Sequence, residues 1–299
     1  MRSVEVVVER AGERLDVVVA GAAGLSRSLA SKLIDAGGVR VGGSVRARSY
    51  RVEAGDRLEI ELPDEPEPPG PEEIPVPIVF EDAWLLVVAK PAGLVVHPAP
   101  GHPSGTLVNA LLARGRRLPG ESARPGIVHR LDAGTSGLMV VAKDEDAYDS
   151  LRQMLAAREI SRTYLALVEG APPAAGEIDA PIGRSKNHRK KMAVVATGRE
   201  SRTSYRRLEA LRGCALMEVR PLTGRTHQIR VHLAAAGHPV VGDVVYGRDR
   251  KLARRLGLSR PFLHAAGLAF THPVTSERMT FSEALPEDLE RALAAARRL

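Results

Sequence analysis

Residues 127–142 read Ile-Val-His-Arg-Leu-Asp-Ala-Gly-Thr-Ser-Gly-Leu-Met-Val-Val-Ala. Apolar, β-rich residues begin and end this segment, and small or hydroxylic residues separate the two parts. We therefore expect Asp132 to project at the end of a strand, near backbone N–H groups and the Thr135 and Ser136 hydroxyls. Such surroundings suit a carboxylate that has to stay ionised. The alternative is an Asx-turn in which Asp132 only starts the loop.

Patterning predicts further elements before this segment. Two β-rich stretches lie at Pro77 to Phe80 and Trp84 to Ala89, and Thr106 to Ala113 is predicted to be helical. Residues 61–75 hold six acids, no base and six prolines. Proline at this density disfavours helix and central strand and gives a stiff, extended linker. We therefore expect a domain at 1–62, a linker at 63–76 and a second domain at 77–299.

The first 62 residues have the pattern of a small domain. Ser3 to Glu9 is β-rich, and Glu13 to Val19 is predicted to be helical. A second helix is predicted with Ser26 as its N-cap and Gly37 as its stop. The apolar stripe of this second helix is predicted to be Leu29, Ala30, Leu33 and Ile34.

Strand signals follow that helix. Val39 to Val41, the pair Gly42-Gly43 and Ser44 to Arg46 read as a strand, a tight turn and a strand. A turn at Gly55-Asp56 then leads into the alternating strand Leu58 to Leu62.

The chain is basic, with 43 Lys and Arg against 36 Asp and Glu and a formal net charge of +7. This surplus suggests a polyanionic partner, but GC-rich coding also explains an excess of arginine. Aromatic residues make up only 3%, which argues against broad stacking on single-stranded bases. The sequence has no membrane-length apolar run and no signal-peptide pattern at its start, and Cys214 is its one cysteine. We expect a cytoplasmic protein without a membrane partner.

The positive charge is concentrated in stretches. Residues 26–51 carry six bases and one acid, and residues 184–207 carry nine bases and one acid. A solvated loop explains each stretch equally well unless another feature of the chain implies RNA.

The N-terminal pattern supplies one such feature. The order of Arg14-Leu15-Asp16, residues 25–28, residues 32–34, residues 38–41 and Gly55-Asp56 resembles the alpha-L RNA-binding domain. In that family a helix and the following hairpin present cations to structured RNA, where phosphate contacts supply affinity. The resemblance implies these RNA-binding residues: Arg27, Lys32, Arg40 and Arg46.

The second domain carries a more specific resemblance. Residues 129–137, 161–170 and 222–232 resemble, in order, the signature, tyrosine and arginine motifs of the RluA family of pseudouridine synthases. Gly242-Asp243 and Leu263 to Ala265 also fit. The resemblance implies an α+β protein with a central mixed, largely antiparallel sheet flanked by helices and loops. The small N-terminal domain would be an α/β RNA-binding domain.

Two further segments narrow the resemblance. Residues 97–101 and 188–194 are similar to the branch that acts on helix 69 of large-subunit (23S) ribosomal RNA. The implied partner is that RNA or an assembling ribosomal particle, and the implied protein is a monomer. The implied RNA contacts in the second segment are Arg189, Lys190 and Lys191.

The resemblance also assigns roles. Asp132 would be the nucleophile, and Arg230 would favour its ionised form and orient it bidentately. Tyr164 would pack on the target base. The alternatives are a phosphate contact or surface cation for Arg230 and a core tyrosine with a bonded hydroxyl for Tyr164.

Arg130 would fill the gap left by a uridine flipped out of its helix, or would form a structural salt bridge. The isomerisation involves no redox change, so no cofactor is expected. No metal site is expected either, because His227 and His232 are five residues apart, which is not a helical zinc spacing. One competing function is a catalytically inert RNA-binding or ribosome-assembly factor of the same architecture. The other is a hydrolase that uses Ser136, although no nucleophile-elbow motif surrounds this residue.

Overall fold

The computed structural model describes residues 2–62, 68–99, 101–115, 117–185, 188 and 191–299. The chain forms two compact units, Met1–Glu67 and Pro68–Leu299, which are called unit 1 and unit 2. The division between the units falls inside the stretch predicted to be a linker. Among the described residues no single helix is long and apolar enough to cross a membrane, although the two helices of unit 1, bent by 113°, pass that test as a pair.

Unit 1 combines two helices with a four-stranded antiparallel sheet in the order β1-β4-β2-β3. The helices are α1 (Leu15–Ala23) and α2 (Arg27–Asp35). The strands are β1 (Arg2–Val7), β2 (Val39–Val41), β3 (Ser44–Val45) and β4 (Arg57–Leu62). All the elements predicted for this part of the chain are present.

Helix α2 begins where the sequence predicts. The hydroxyl oxygen of Ser26 accepts the Leu29 N–H at 3.3 Å and caps the helix. Ala30 and Ile34 face the core, whereas Leu29 is 47% exposed. The predicted four-residue stripe is therefore wrong at Leu29, because neighbouring helical positions lie about 100° apart and the row of Ala30 and Ile34 faces the sheet.

Unit 2 is built on a larger sheet. Its helices are α3 (Leu107–Leu112), α4 (Glu145–Ala156), α5 (Gln228–Ala235), α6 (Arg250–Arg255) and α7 (Glu287–Ala296). Its first strands are β5 (Ile78–Glu81), β6 (Leu85–Lys90), β7 (Ser136–Ala142), β8 (Ser161–Glu169), β9 (Ala175–Asp179), β10 (Ile182–Arg184) and β11 (Met192–Val194). Its last strands are β12 (Arg202–Leu211), β13 (Cys214–Pro221), β14 (Leu263–Thr271) and β15 (Arg278–Ser282).

Nine of the described strands form the main sheet, in the order β5-β6-β7-β14-β8-β13-β12-β9, with β15 also paired to β14. Within it β7 and β14 pair in parallel and the other described pairs are antiparallel. This is the mixed, largely antiparallel α+β sheet that the resemblance implies. Strands β10 and β11 form a separate two-stranded sheet.

Both faces of the main sheet are covered, so its central strands are apolar on both sides. On β6, Val88 joins a core with α3 and α5, whereas Val87 joins a core with α4 on the opposite face. Helix α7 packs on the opposite face as well, against Leu167 of β8. Tyr164 of β8 lies on the first face. That face, which is called the site face, carries the functional residues described below.

Part of the predicted linker packs on unit 2. The carbonyl of Gly70 accepts a hydrogen bond from the side-chain amide of Asn109 at 2.7 Å. The carboxylate of Glu72 accepts the Gly105 N–H at 3.0 Å, and the Glu72 N–H donates to the Asn109 carbonyl. These bonds fix this segment to the start of α3.

The expectation that Asp132 ends a strand is wrong. Residues 127–135 form a loop that precedes β7, and only Ile127 makes a β-bridge, with Val141. The Val140 N–H donates to His129 Nε2 at 3.1 Å. Because an imidazole takes the donor that a strand carbonyl would otherwise take, the apolar segment can pack on the core without pairing.

The pairing of β7 with β14 depends on Gly137. Its φ is +113°, and a Cβ there would lie 2.3 Å from the Ala265 carbonyl oxygen. Gly213 is the matched control because its φ is +76° and its surroundings are open.

We expect Gly137→Ala to destabilise the protein by about 3 kcal/mol or more, because the new Cβ clashes with Ala265 and the positive φ is unfavourable for alanine. Gly213→Ala should cost about 1–2 kcal/mol, because only the unfavourable φ contributes there. Urea denaturation of both variants measures the difference. Equal losses would contradict the importance of this close approach.

Candidate active site

A cleft of about 330 Å³ opens on the site face. Its wall is formed by the loop around Asp132, the start of β8 and the segment 221–230 that leads into α5. It brings together these residues singled out in the sequence: Arg130, Asp132, Tyr164, His227 and Arg230. A cleft of this size is at the small end of ligand sites.

Arg230 is the centre of the cleft's ion-pair network. Its Nε and Nη2 donate to Asp243 Oδ2 and Oδ1 at 2.6 and 2.9 Å, and its Nη1 donates to Asp132 Oδ2 at 3.0 Å. The Asp243 side chain is fully buried, and that of Arg230 is 8% exposed. Burial acts to lower the pKa of Arg230, but the two carboxylates outweigh it and raise the pKa above its ordinary value.

The predicted ion pair between Arg230 and Asp132 is therefore present, but the predicted bidentate geometry is not. The guanidinium is bidentate on Asp243 and makes a single bond to Asp132. Asp243 accepts from Nε and Nη2 of the guanidinium, and of the three guanidinium nitrogens Nη1 is the one bonded to Asp132. The Asp132 side chain stays 18% exposed at the cleft.

Asp243 is itself fixed by the turn that carries it. Its Oδ1 accepts the N–H groups of Val245 and Tyr246 at 2.9 and 3.1 Å. Burial opposes ionisation, but these bonds and Arg230 hold the pKa of Asp243 below its ordinary value. Gly242 adopts φ +82°, and a Cβ there would lie 2.2 Å from the Arg260 carbonyl oxygen. The tight turn therefore requires glycine before the buried carboxylate.

Tyr246 and His227 complete this side of the cleft. The Arg230 guanidinium lies 5.2 Å from the centre of the Tyr246 ring. The Tyr246 hydroxyl oxygen is 2.9 Å from His227 Nδ1 and accepts the Met192 N–H at 3.1 Å. This places His227 Nε2 4.0 Å from Asp132 Oδ1. Burial lowers the pKa of His227.

Tyr164 lies on the same wall as Asp132. It belongs to the central part of β8, between β13 and β14, and only 6% of its surface is exposed. Burial raises the pKa of its hydroxyl. A buried aromatic ring at a cleft wall is suited to contact with a flat ligand.

Lys90 holds the loop that contains Asp132 in place. Its ammonium donates to the carbonyls of Pro91, Leu94 and Ala133 at 2.8, 2.8 and 3.3 Å. Burial lowers the pKa of Lys90 to about 7, and the charge of Asp132 opposes the shift. Since Ala133 follows Asp132, Lys90 positions the loop that carries the carboxylate.

Two other readings of the polar residues lose support. Ser136 Oγ lies 2.9 Å from His264 Nδ1, as in a hydrolase pair, but both residues are at most 4% exposed and neither lines the cleft. His232 bonds to Thr203 and the Ala180 carbonyl. Within the described residues no group of three or more His, Cys, Asp or Glu side chains is arranged to hold a metal.

Two of the four cations predicted to bind RNA in unit 1 contact another side chain of the unit. Arg27 donates to the buried carboxylate of Asp16 at 3.1 Å, and Arg46 lies over the Tyr50 ring at 5.5 Å. Lys32 and Arg40 are exposed on α2 and β2.

The cations of unit 2 differ as well. Arg130 is exposed at the cleft. Lys191 is exposed, and its ammonium donates to the Val245 carbonyl at 3.1 Å. Arg189 and Lys190 lie outside the described residues.

Comparison with known families shows to which family the chain belongs. Residues 84–235 match the model for RNA pseudouridylate synthase, and residues 13–58 match the S4 domain. An uncharacterised RNA pseudouridine synthase of Mycobacterium bovis is 44% identical over 98% of this chain and 97% of its own length. The chain belongs to the RNA pseudouridylate synthase family.

Other members of the family extend the comparison. The protein named ribosomal large subunit pseudouridine synthase D of Pseudomonas aeruginosa is 44% identical over 96% of this chain and 93% of its own length. The solved structure of human RNA pseudouridylate synthase domain containing 4 has a TM-score of 0.60 and 28% identity, and the match covers 74% of this chain and 93% of that chain. The predicted family, fold class and enzyme type are thereby confirmed.

For this pseudouridine synthase, two parts of the site were missed in the sequence. The resemblance includes Gly242-Asp243 but assigns no role to Asp243, and it does not include Tyr246. The available signal was an acid and an aromatic residue inside the glycine-bounded turn from Gly242 to Gly247.

The buried Arg230–Asp243 pair predicts a pH-dependent stability difference. We expect Asp243→Asn to destabilise the protein by about 3–5 kcal/mol at pH 7, because it removes the bidentate partner of a buried cation. The folded-state pKa of Asp243 is lowered, so its contribution is present above the unfolded value, about 3.9, and is lost as the pH falls through the folded value. The difference in the free energy of unfolding between the wild type and Asp243→Asn should therefore become smaller as the pH falls from 5 towards 2.

Urea unfolding of the wild type and Asp243→Asn across this pH range measures the effect. Asp132→Asn is the control, since Asp132 makes a single bond to Arg230 and should cost less. A difference that stays constant with pH would contradict the assignment.

Proposed function

We propose that this pseudouridine synthase converts specific uridines to pseudouridine in large-subunit (23S) ribosomal RNA, with Asp132 as the nucleophile that acts on a flipped-out uridine. The observation that carries the proposal is the Asp132 carboxylate, held at 3.0 Å by Arg230 in the same cleft as Tyr164. This arrangement favours an active enzyme over an inert RNA-binding factor.

The RNA class is supported by relatives that carry it in their names. Proteins named ribosomal large subunit pseudouridine synthase D, from Zymomonas mobilis and Xanthomonas campestris, are 44% and 42% identical over 94% and 99% of this chain. Residues 97–101 and 188–194 add the resemblance to the branch that acts on helix 69. We propose helix 69 as the region that contains the target uridines.

The proposed reaction needs no atom from outside the uridine except water-exchangeable protons. The bond between N1 of uracil and C1′ of ribose breaks, and a bond between C5 and C1′ forms. C5 loses its proton, and N1 gains one. Because no electron is lost or gained overall, the reaction requires a nucleophile, a proton acceptor and a cleft that binds the base.

The geometry matches these requirements. Arg230 occupies one oxygen of Asp132, and the other oxygen lies 4.0 Å from His227, beyond hydrogen-bond distance. This leaves lone pairs of an oriented carboxylate for the substrate. Tyr164 supplies the ring on which the uracil packs.

Enzymes that do chemistry on a base usually take the nucleotide out of its helix. Extruding a nucleotide costs about a few kcal/mol of stacking and pairing. Arg130 is exposed at the cleft two residues before Asp132, and we propose that its side chain enters the gap that the uridine leaves.

Unit 1 is proposed to add RNA affinity through its exposed cations. The S4 match covers the residues of α1, α2, β2 and β3. Phosphate contacts of this kind supply affinity without choosing a sequence. The expected cytoplasmic location and monomeric state stay predictions.

We expect Asp132→Asn to abolish pseudouridine formation, because the amide is not a nucleophile, while RNA binding is kept. Site-by-site mapping of pseudouridine in large-subunit RNA, from cells with the wild type, the variant or neither, measures the outcome. Tyr164→Phe is the companion variant, which keeps the ring. Unchanged modification by Asp132→Asn would overturn the assigned role.

We expect the double variant Lys32→Gln and Arg40→Gln to weaken RNA binding and to reduce the salt slope by roughly one per cation removed. Titration of a large-subunit RNA fragment at several salt concentrations measures both. The control is Arg291→Gln with Arg298→Gln, two exposed cations of which the first lies on α7 and the second just after it; α7 covers the sheet face opposite the cleft. Equal slope changes in both pairs would contradict a specific role for unit 1.

A further inference from the structure

Three buried side-chain nitrogens have no hydrogen-bond partner among the described residues: His97 Nδ1, His129 Nδ1 and Arg162 Nε. All three residues line the cleft that holds Asp132. Unpaired buried polar atoms are few in native proteins, and leaving one unpaired costs free energy. Their concentration at one cleft suggests that a ligand completes them.

The protonation of His129 follows from its one hydrogen bond. The backbone N–H of Val140 can only donate, so His129 Nε2, at 3.1 Å, accepts and carries no proton. Burial lowers the pKa of His129 to about 3, which keeps the ring neutral at physiological pH. The single ring proton is therefore on Nδ1, and this N–H donor is unpaired.

Arg162 supplies the second unpaired donor. Its Nη2 donates to the carbonyls of Pro221 and Thr223 at 3.4 and 3.3 Å, which orients the guanidinium. No carboxylate lies within ion-pair distance of it in the described part of the chain. Its Nε–H is buried and meets no acceptor.

The two donors and the proposed base-packing tyrosine lie in one neighbourhood. Arg162 and Tyr164 are two residues apart on β8, so their side chains leave the same face of the strand. His129, Arg162 and Tyr164 all line the same cleft. A base packed on Tyr164 would have an edge facing N–H donors.

We propose that His129 and Arg162 read the target base by donating hydrogen bonds to the carbonyl oxygens of uracil. The inference rests on the proposed function. Uracil offers acceptors at O2 and O4, whereas cytosine has an amino group, itself a donor, in place of O4. A site built around buried donors rejects an analogue that leaves them unpaired much more strongly than an apolar pocket does.

A backbone phosphate is the competing acceptor for Arg162. A phosphate site would depend mainly on the positive charge, whereas a carbonyl contact depends on the fixed position of Nε–H. Arg162→Lys keeps the charge and removes Nε, so it distinguishes the two.

The test uses the full-length protein and a synthetic RNA hairpin that contains a uridine identified by the mapping above. The target position is uridine, 2-thiouridine or 4-thiouridine, because sulfur is the weaker acceptor. The variants are His129→Gln, whose amide oxygen can still accept from Val140, and Arg162→Lys. His227→Gln, on the other side of the cleft, is the control. Single-turnover rates and binding are measured for each combination.

We expect His129→Gln and Arg162→Lys each to lower the single-turnover rate constant over Kd on uridine RNA by about 10- to 100-fold. Each variant should lose much less on the RNA whose matching oxygen is already replaced. His227→Gln should show the same loss on all three RNAs. If His129→Gln does not fold, Arg162→Lys on the same RNAs decides.

Two results would overturn the inference. One is an equal loss on all three RNAs for both variants, which indicates a structural role. The other is full activity of Arg162→Lys together with a loss in Arg162→Met, which indicates a phosphate contact. If the wild type forms no pseudouridine in any large-subunit RNA, the proposed function itself fails, and the mapping step shows this before the analogues are used.

Discussion

The buried guanidinium of Arg230 is shared unequally between two carboxylates, and the reaction proposed for the cleft depends on that inequality. Asp243 takes two of its donors and is fully buried, whereas Asp132 takes one and remains partly exposed. One cation and two carboxylates leave a net negative charge on this group. Arg230 thus orients Asp132 without fully compensating it, and a carboxylate in that state can act on a substrate.

Several separate parts of the chain are needed to maintain this arrangement. The turn after Gly242 carries Asp243, helix α5 carries Arg230, and the loop before β7 carries Asp132. Lys90 fixes that loop through the Ala133 carbonyl. A shift in any of these elements would change the distances between Arg230 and its two carboxylates. The site lies over the main core on the site face, where close packing limits such shifts.

Local patterns in the sequence predicted the elements of residues 1–113 and strand β7 well, because caps and apolar periodicity act over a few residues. The Ser26 cap and strands β6 and β7 are examples. The loop at 127–132 was mistaken for a strand because an apolar segment packed on a core looks the same whether or not it pairs. The loop bonds instead through the imidazole of His129, which accepts the N–H of Val140 eleven residues away. Apolar periodicity in the sequence does not indicate such a bond.

The site, like the fold, was predicted in part. Motif resemblance was enough to pair Arg230 with Asp132. It did not give the bidentate role of Asp243, since two carboxylates compete for one guanidinium and only the folded geometry decides between them.

The distribution of donors separates two tasks of RNA recognition. In the proposed function, exposed cations such as Lys32 and Arg40 contact phosphates, which every RNA presents, so they would raise affinity without choosing a base. The unpaired N–H groups of His129 and Arg162 are buried. A buried donor without an acceptor raises the free energy of the complex, whereas a donor with a matching acceptor lowers it. On this proposal, base discrimination belongs to the few buried donors of the cleft, and the surplus of surface charge serves affinity. The +7 charge of the chain is for this reason a poor guide to which nucleotide reacts.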